Sequence, residues 1–237
     1  MAQETLADVE FADNPEPRCA VVLLLDTSGS MSGRPIQELN EGIQAFEKSL
    51  KADKLASLRV EISIVTFGPV CTRDVRGEGN GDLGTDAEHA FVTADNFQAP
   101  TLPITGDTPM GAAMTRALEL IRRRKEIYKT QGAEYYRPWI LLVTDGGPTD
   151  SYKTAAATAR QAENSNSVVV YAVGVEGANM GTLAEFSNRQ PLKLRGLAFA
   201  ELFQWLSKSL QNVSTSGVGD QQVPLAPVGW ATADTSH

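Results

Sequence analysis

Ala20-Val21-Val22-Leu23-Leu24-Leu25-Asp26-Thr27-Ser28-Gly29-Ser30 is the stretch that decides how this chain is read. Six apolar residues in a row fit a strand buried on both faces. The run ends at a carboxylate, and two hydroxyls follow at alternate positions with a glycine between them. Such a turn can aim three hard oxygens at one point. Hard oxygens suit a small divalent cation, and Mg2+ takes about six of them in octahedral array. With no thiolate set and no phosphate loop in the segment, it reads as half of a metal site. Alone, it also reads as a turn whose serines cap backbone groups.

Working outward, Pro35 suits the first turn of a helix, and Ile36, Leu39, Ile43, Phe46 and Leu50 recur at steps of three and four. Residues 59–67 form a second strand, Gly68-Pro69 turns the chain, and residues 70–75 return as an antiparallel edge strand. Residues 76–88, glycine-rich and acidic, read as a mobile loop, and 91–97 as a short strand or extended segment. A long helix is expected from Pro109 to Thr130, with Thr108 as its N-cap. Trp139–Val143 is an apolar strand ending at Thr144-Asp145-Gly146-Gly147. An Ala-rich helix at 152–163, a strand at 168–173, a short helix near Leu183, a short strand at 192–194 and a helix at 201–213 complete the pattern. Strands alternating with helices predict an α/β fold, doubly wound and Rossmann-like: a mainly parallel central sheet, one antiparallel edge strand and helices on both faces. The divisions are an N-terminal segment at 1–16, one domain at 17–213, and an extended or disordered tail at 214–237.

A chain of 237 residues, 42% of them hydrophobic, suits one domain with a large core. A net charge of −8 argues against nucleic acid as partner, and Arg122-Arg123-Arg124-Lys125 reads as the solvated face of a helix. Two cysteines give no disulfide framework, and the expected location is the cytoplasm, with Cys19 and Cys71 reduced at opposite ends of the sheet. Neither a signal peptide nor an apolar run of about 20 residues is visible. His89 reads as solvated, Cys71 as an inert small hydrophobe and Asp150 as a cap for the helix at Tyr152 or a second-layer contact. Trp205 suits core or partner surface. Trp230, a large aromatic in a polar tail, is expected to dock on this domain or on another chain.

In open parallel sheets, ligands collect at the carboxyl ends of the strands. Asp26 and Asp145 both occupy such ends, and between them in sequence lies the turn Thr105-Gly106-Asp107-Thr108-Pro109. Asp26-x-Ser28-x-Ser30, the isolated Thr108 and Thr144-Asp145-Gly146 resemble, in the family's order, the metal-ion-dependent adhesion site of von Willebrand factor A domains. The likeness covers roughly residues 17–213. More narrowly, the segments 14–19 and 136–139 and the tail residues Val223-Pro224-Leu225 with Gly229-Trp230 resemble the bacterial TerY-like (YegL-like) group, associated with tellurium-resistance and stress gene clusters.

The resemblance implies that Ser28 and Ser30 bind the cation directly, Thr108 directly or through water according to state, and Asp26 and Asp145 directly or through water. It implies Mg2+, with Mn2+ or Ca2+ as other oxygen-bound candidates. One coordination position is left for an Asp or Glu carboxylate from a partner protein. For the TerY-like group the implied partners are a PP2C-type phosphatase and a kinase-like protein. Two carboxylates balance the 2+ charge, and helix N-termini near Pro35 and Pro109 favour an incoming anion. Asp107 departs from the small residue common at that place; it can hydrogen-bond the turn or add negative charge beside the metal. The expected function is a non-enzymatic adaptor. The alternatives are a metal-dependent hydrolase or phosphotransferase, since Asp26 is placed like an aspartyl-phosphate nucleophile, and a scaffold with a purely structural metal. Against the enzyme stand Ser28 where a second Asp is usual and the lack of a histidine near the motifs.

Overall fold

The protein is described here from a computed structural model covering residues 6–79, 81–218 and 225–233. Strand β1 (Cys19–Asp26) is fully buried. It pairs in parallel with β2 (Val60–Phe67) on one side and β5 (Trp139–Thr144) on the other. The parallel run continues through β6 (Val169–Gly174) to β7 (Leu192–Leu194). At one edge β3 (Cys71–Arg73) is antiparallel to β2, as expected, and β4 (Val92–Thr93) pairs antiparallel with the opening residues of the same strand. At the other edge β8 (Ala231–Ala233) is antiparallel to β7. The order is β3-β2-β1-β5-β6-β7-β8, so the chain leaves β1 for one side and later returns to the other.

Alternate residues of β1 serve two cores. Val21, Leu23 and Leu25 face α2 (Arg34–Lys51) and α7 (Phe199–Thr215). Ala20, Val22 and Leu24 face α4 (Met110–Gln131) and α5 (Lys153–Asn164). The period-2 alternation of a strand thus produces two apolar layers, which is why its sequence is continuously hydrophobic. The five apolar positions expected on α2 are all buried. At Gly42 a Cβ would lie 2.7 Å from the Phe203 ring, so glycine lets α7 seat closely on α2.

Four elements differ from expectation or were not foreseen. Helix α1 (Leu6–Asp13) forms in the N-terminal segment, and α3 (Lys54–Arg59) is capped by Asp53, whose carboxylate accepts from Leu55 and Ala56 N–H. The basic run on α4 is not wholly solvated. Arg122 and Arg123 pair with Glu119 and Glu126 at the surface, but Arg124 is fully buried, bonded to Glu61 at 2.8 Å and to Glu10 at 2.8 Å. Its helical spacing places it with Leu120, Ile121 and Tyr128, and burying a charge demands such partners. Of the expected loop at 76–88, residues 76–79 and 81–88 are irregular but tied down: Asp82 accepts from Thr72 and Gly84 N–H and pairs with Arg116 at 2.9 Å.

Residues 225–233 are extended and lie on the domain. Trp205, in α7, is core and donates its indole N–H to Ala226 O at 2.8 Å. The Trp230 ring packs 5.5 Å from it, so this tryptophan docks on its own domain. The expected tail also spans residues 219–224 and 234–237, which lie outside the described residues. Cys19 is buried at the start of β1, its thiol pushed up to about 12 by burial. Cys71 is at the far end of the sheet, half-buried, and both thiols are free. Helix α6 (Met180–Ala184) completes the elements. Among the described residues no helix is long and apolar enough to cross a membrane.

Candidate metal centre

Sheet order alone creates a crevice. The chain crosses from β1 to opposite sides, so the connections after β1 and β5 diverge and leave a gap above their carboxyl ends. Such switch points are where open α/β sheets bind ligands. Asp26 is the last residue of β1 and Asp145 directly follows β5. With Leu25 paired to Val143, the two carboxylates meet at this gap.

The hydroxyl turn folds back toward them. Ser28 N–H donates to Asp26 Oδ1 at 2.8 Å, which fixes the turn on the acid that ends the strand. The Ser28 and Ser30 hydroxyls are 3.0 Å apart, and Ser30 Oγ donates to Asp145 Oδ1 at 2.7 Å. Three of the expected oxygens therefore form one continuous chain, from residues 115 positions apart. The other carboxylate oxygen of Asp26 accepts from Thr144 Oγ1, which itself accepts from Gly146 N–H at 3.1 Å.

Thr108 arrives on a separate loop seated over the ends of β1 and β2. Thr105 N–H donates to Thr27 O at 2.8 Å, Gly29 N–H to Gly106 O at 3.2 Å, and Asp107 N–H to Gly68 O at 3.1 Å. Gly106 has φ +64, and a Cβ there would lie 2.4 Å from Gly68 O, so only glycine permits this approach. Thr108 is almost fully buried, its Oγ1 3.7 Å from where a Cβ on Gly146 would stand. All five sequence-predicted residues are thus brought to one end of the sheet.

Two expectations about caps are corrected. Thr108 is not the N-cap of α4: Pro109 occupies that position and the helix begins at Met110. Asp150 does not cap α5. Its Oδ1 accepts from Gly111 N–H at 3.0 Å and its Oδ2 from Ala112 N–H at 2.8 Å, capping α4 from across the site. The four free N–H groups of a helix start need acceptors, and a carboxylate there is favoured by the dipole. That leaves the Thr108 hydroxyl unspent, and it offsets the positive helix end expected beside the metal. Thr149 supports the same loop: its Oγ1 accepts from Thr108 N–H at 3.1 Å. Thr144, within the Thr-Asp-Gly motif, and Thr149, just after it, were visible as hydroxyls, but nothing in sequence assigned them partners.

The electrostatics of the centre favour a cation. Burial pushes the Asp26 carboxyl above its ordinary value, against the bonds from Ser28 and Thr144, and the charge of Asp145 adds to the rise. Two carboxylates and three hydroxyls are a hard, all-oxygen donor set, and this is the chemistry that Mg2+, Mn2+ or Ca2+ prefers. The residues present fit such an ion. Among the described residues no group of three or more His, Cys, Asp or Glu is placed to hold a metal, so this centre, with two carboxylates, relies on its hydroxyls.

Solved structures share the architecture. The pilus adhesin SpaC of Lactobacillus rhamnosus GG, in its open conformation, matches with TM-score 0.59 and 14% identity, over 84% of this chain and 31% of that one. Proximal thread matrix protein 1 of mussel byssus matches with TM-score 0.53 and 14% identity, over 84% and 47%. Inter-alpha-trypsin inhibitor heavy chain H4 of Sus scrofa is 28% identical over 131 residues, 54% of this chain and 12% of that protein. The chain therefore spans less than half the length of each of these relatives. The von Willebrand factor type A domain model matches residues 20–200, from β1 through the start of α7. This chain belongs to the von Willebrand factor type A domain family.

Proposed function

We propose that this chain is a divalent-cation-dependent protein-interaction module, an adaptor that binds an acidic residue of a partner. Von Willebrand A domains are interaction and adhesion modules, which supports the class. The observation that carries the metal reading is the continuous run Ser28 Oγ, Ser30 Oγ, Asp145 Oδ1 beside the buried Asp26 carboxylate. Asp26, Ser28, Ser30, Thr108 and Asp145 would hold Mg2+, with Mn2+ or Ca2+ as substitutes. When bound, the ion supplies a positive centre for a carboxylate. The chain's own residues do the rest. Asp26 and Asp145 neutralise the ion, the serines orient toward it without adding charge, and Thr144 and Thr149 hold Asp26 and Thr108 in place.

The narrower setting rests on resemblance to the TerY-like group: a bacterial, cytoplasmic stress-response or tellurium-resistance system, with a PP2C-type phosphatase and a kinase-like protein as partners. No turnover is assigned to the site. His89, one of two histidines, is exposed and bonded to Asp86 in the loop before β4. The test is affinity capture from a native lysate in Mg2+ and in EDTA, with wild type and Thr108→Ala. A partner held only by wild type in Mg2+ supports the adaptor. A partner held in all four conditions moves the interface elsewhere and leaves the ion a structural role. Metal-dependent turnover of phosphate esters, lost in Asp26→Ala, would favour the enzyme instead.

A further inference from the structure

Five segments lie at the carboxyl ends of the central strands: residues 27–34, 68–70, 145–151 and 175–179 follow β1, β2, β5 and β6, and 105–109 is bonded to Thr27 and Gly68. Their charged residues are Arg34, Asp107, Asp145, Asp150 and Glu176, with Asp26 at the strand end beneath them. Most have partners. Arg34 pairs with Glu38 at 3.2 Å. Asp150 is held by the first N–H groups of α4. A divalent cation would balance Asp26 and Asp145. Asp107 and Glu176 remain. Both are exposed, and no described residue bonds to either carboxylate. The Asp107 side chain therefore does not brace its own turn; it adds negative charge beside Thr108.

The two acids stand on opposite flanks. Asp107 is anchored through its N–H to Gly68, beyond the end of β2. Glu176 follows β6, and a Cβ on the next residue, Gly177, would be 3.2 Å from Asp145 O. In the sheet, β2 and β6 bracket the β1–β5 pair that carries the metal residues. Three strand spacings, about 14 Å, separate β2 from β6, so about 7 Å lies between the centre line and either strand. Two residues of extended chain cover about the same distance.

We infer that the centre selects an acid flanked by basic residues, a Lys/Arg-x-Glu/Asp-x-Lys/Arg segment, with Asp107 and Glu176 as its specificity-determining residues. This rests on the metal-dependent reading above. A lone carboxylate gains the ion but meets two like charges. A segment carrying cations two positions to either side turns both repulsions into attractions. Specificity of this kind comes from repelling the wrong ligand as much as from holding the right one.

The experiment titrates two peptides into the Mg2+-loaded protein by NMR at low ionic strength: acetyl-Lys-Gly-Glu-Gly-Lys-amide and acetyl-Gly-Gly-Glu-Gly-Gly-amide. Wild type is expected to prefer the lysine-flanked peptide about tenfold, with the preference fading in high salt. In Asp107→Asn/Glu176→Gln, two exposed substitutions, it falls below about threefold, and the plain peptide binds more tightly than to wild type. EDTA abolishes both. Equal binding to wild type, no binding of either peptide, or a preference that survives in the double variant or in EDTA overturns the inference. Calorimetry of Mg2+ alone separates the two levels: no uptake by wild type fails the metal reading, whereas uptake without peptide preference fails only this one.

Discussion

Asp26 and Asp145 share one small space, and this dictates how the metal-free protein behaves. Burial of the Asp26 charge, with a smaller repulsion from Asp145, is unfavourable until a cation arrives. Asp145→Asn is therefore expected to leave stability in EDTA equal to or above wild type, while erasing the gain in Tm on adding Mg2+. For wild type that gain corresponds to about 2.7 kcal/mol at a hundredfold excess over Kd. Thermal unfolding of both proteins in EDTA and Mg2+ checks this; a variant that still gains would remove Asp145 from the ligand set. The pH dependence follows with a definite sign. The cation needs the ionised carboxylate, and burial holds Asp26 above its ordinary 3.8. Mg2+ affinity should thus weaken on acidification from above pH 3.8, and calorimetry across pH 4–7 reads it. That the five candidate residues gather at one end of the sheet was legible because each sits at a strand end or turn. Thr149 was not, because its role is a bond to a backbone 41 positions away.

Helix α4 shows how an element's ends and its faces follow different rules. Its apolar face was readable from spacing: of Met110, Ala113, Met114, Ala117, Leu118 and Ile121, all are buried except Leu118, which is half-buried. Its start was not, because the capping carboxylate is Asp150, supplied from the loop after β5. Nor was the fate of Arg124, whose buried partners Glu61 and Glu10 come from β2 and α1. Asp150→Ala is expected to cost about 1 kcal/mol, the usual worth of a lost cap. Because α4 begins two residues after Thr108, the same change should also weaken Mg2+ binding. Urea unfolding in EDTA and Mg2+ calorimetry separate the two effects. Normal Mg2+ affinity in the variant would show that the Thr108 loop is held by its contacts to Gly68, Thr27, Gly29 and Thr149 without the Asp150 cap.

Across the whole molecule, the sheet is closed at one edge by the chain's own end. The antiparallel β8 covers β7, and Trp230, 4% exposed, seals α7 against that edge. Its indole N–H has no partner among the described residues, so its contribution is packing. Trp230→Ala is expected to destabilise by about 3 kcal/mol and Trp230→Phe by distinctly less. Equilibrium unfolding in urea measures both, and an unchanged midpoint would mean that the segment does not pack in solution. Sequence alone determined the parallel α/β pattern, because an uninterrupted apolar run such as Ala20–Leu25 is tolerated only where both faces of a strand are buried. It also showed which carboxylates and hydroxyls stand at strand ends, the residues from which the candidate metal centre is read. Only the tertiary structure decided which distant groups complete them. Asp150 on α4, Arg124 between two glutamates, Trp230 on Trp205 and the flanking pair Asp107 and Glu176 depend on strand order and loop path. Those are set by packing between residues remote in sequence, where local periodicity carries no information.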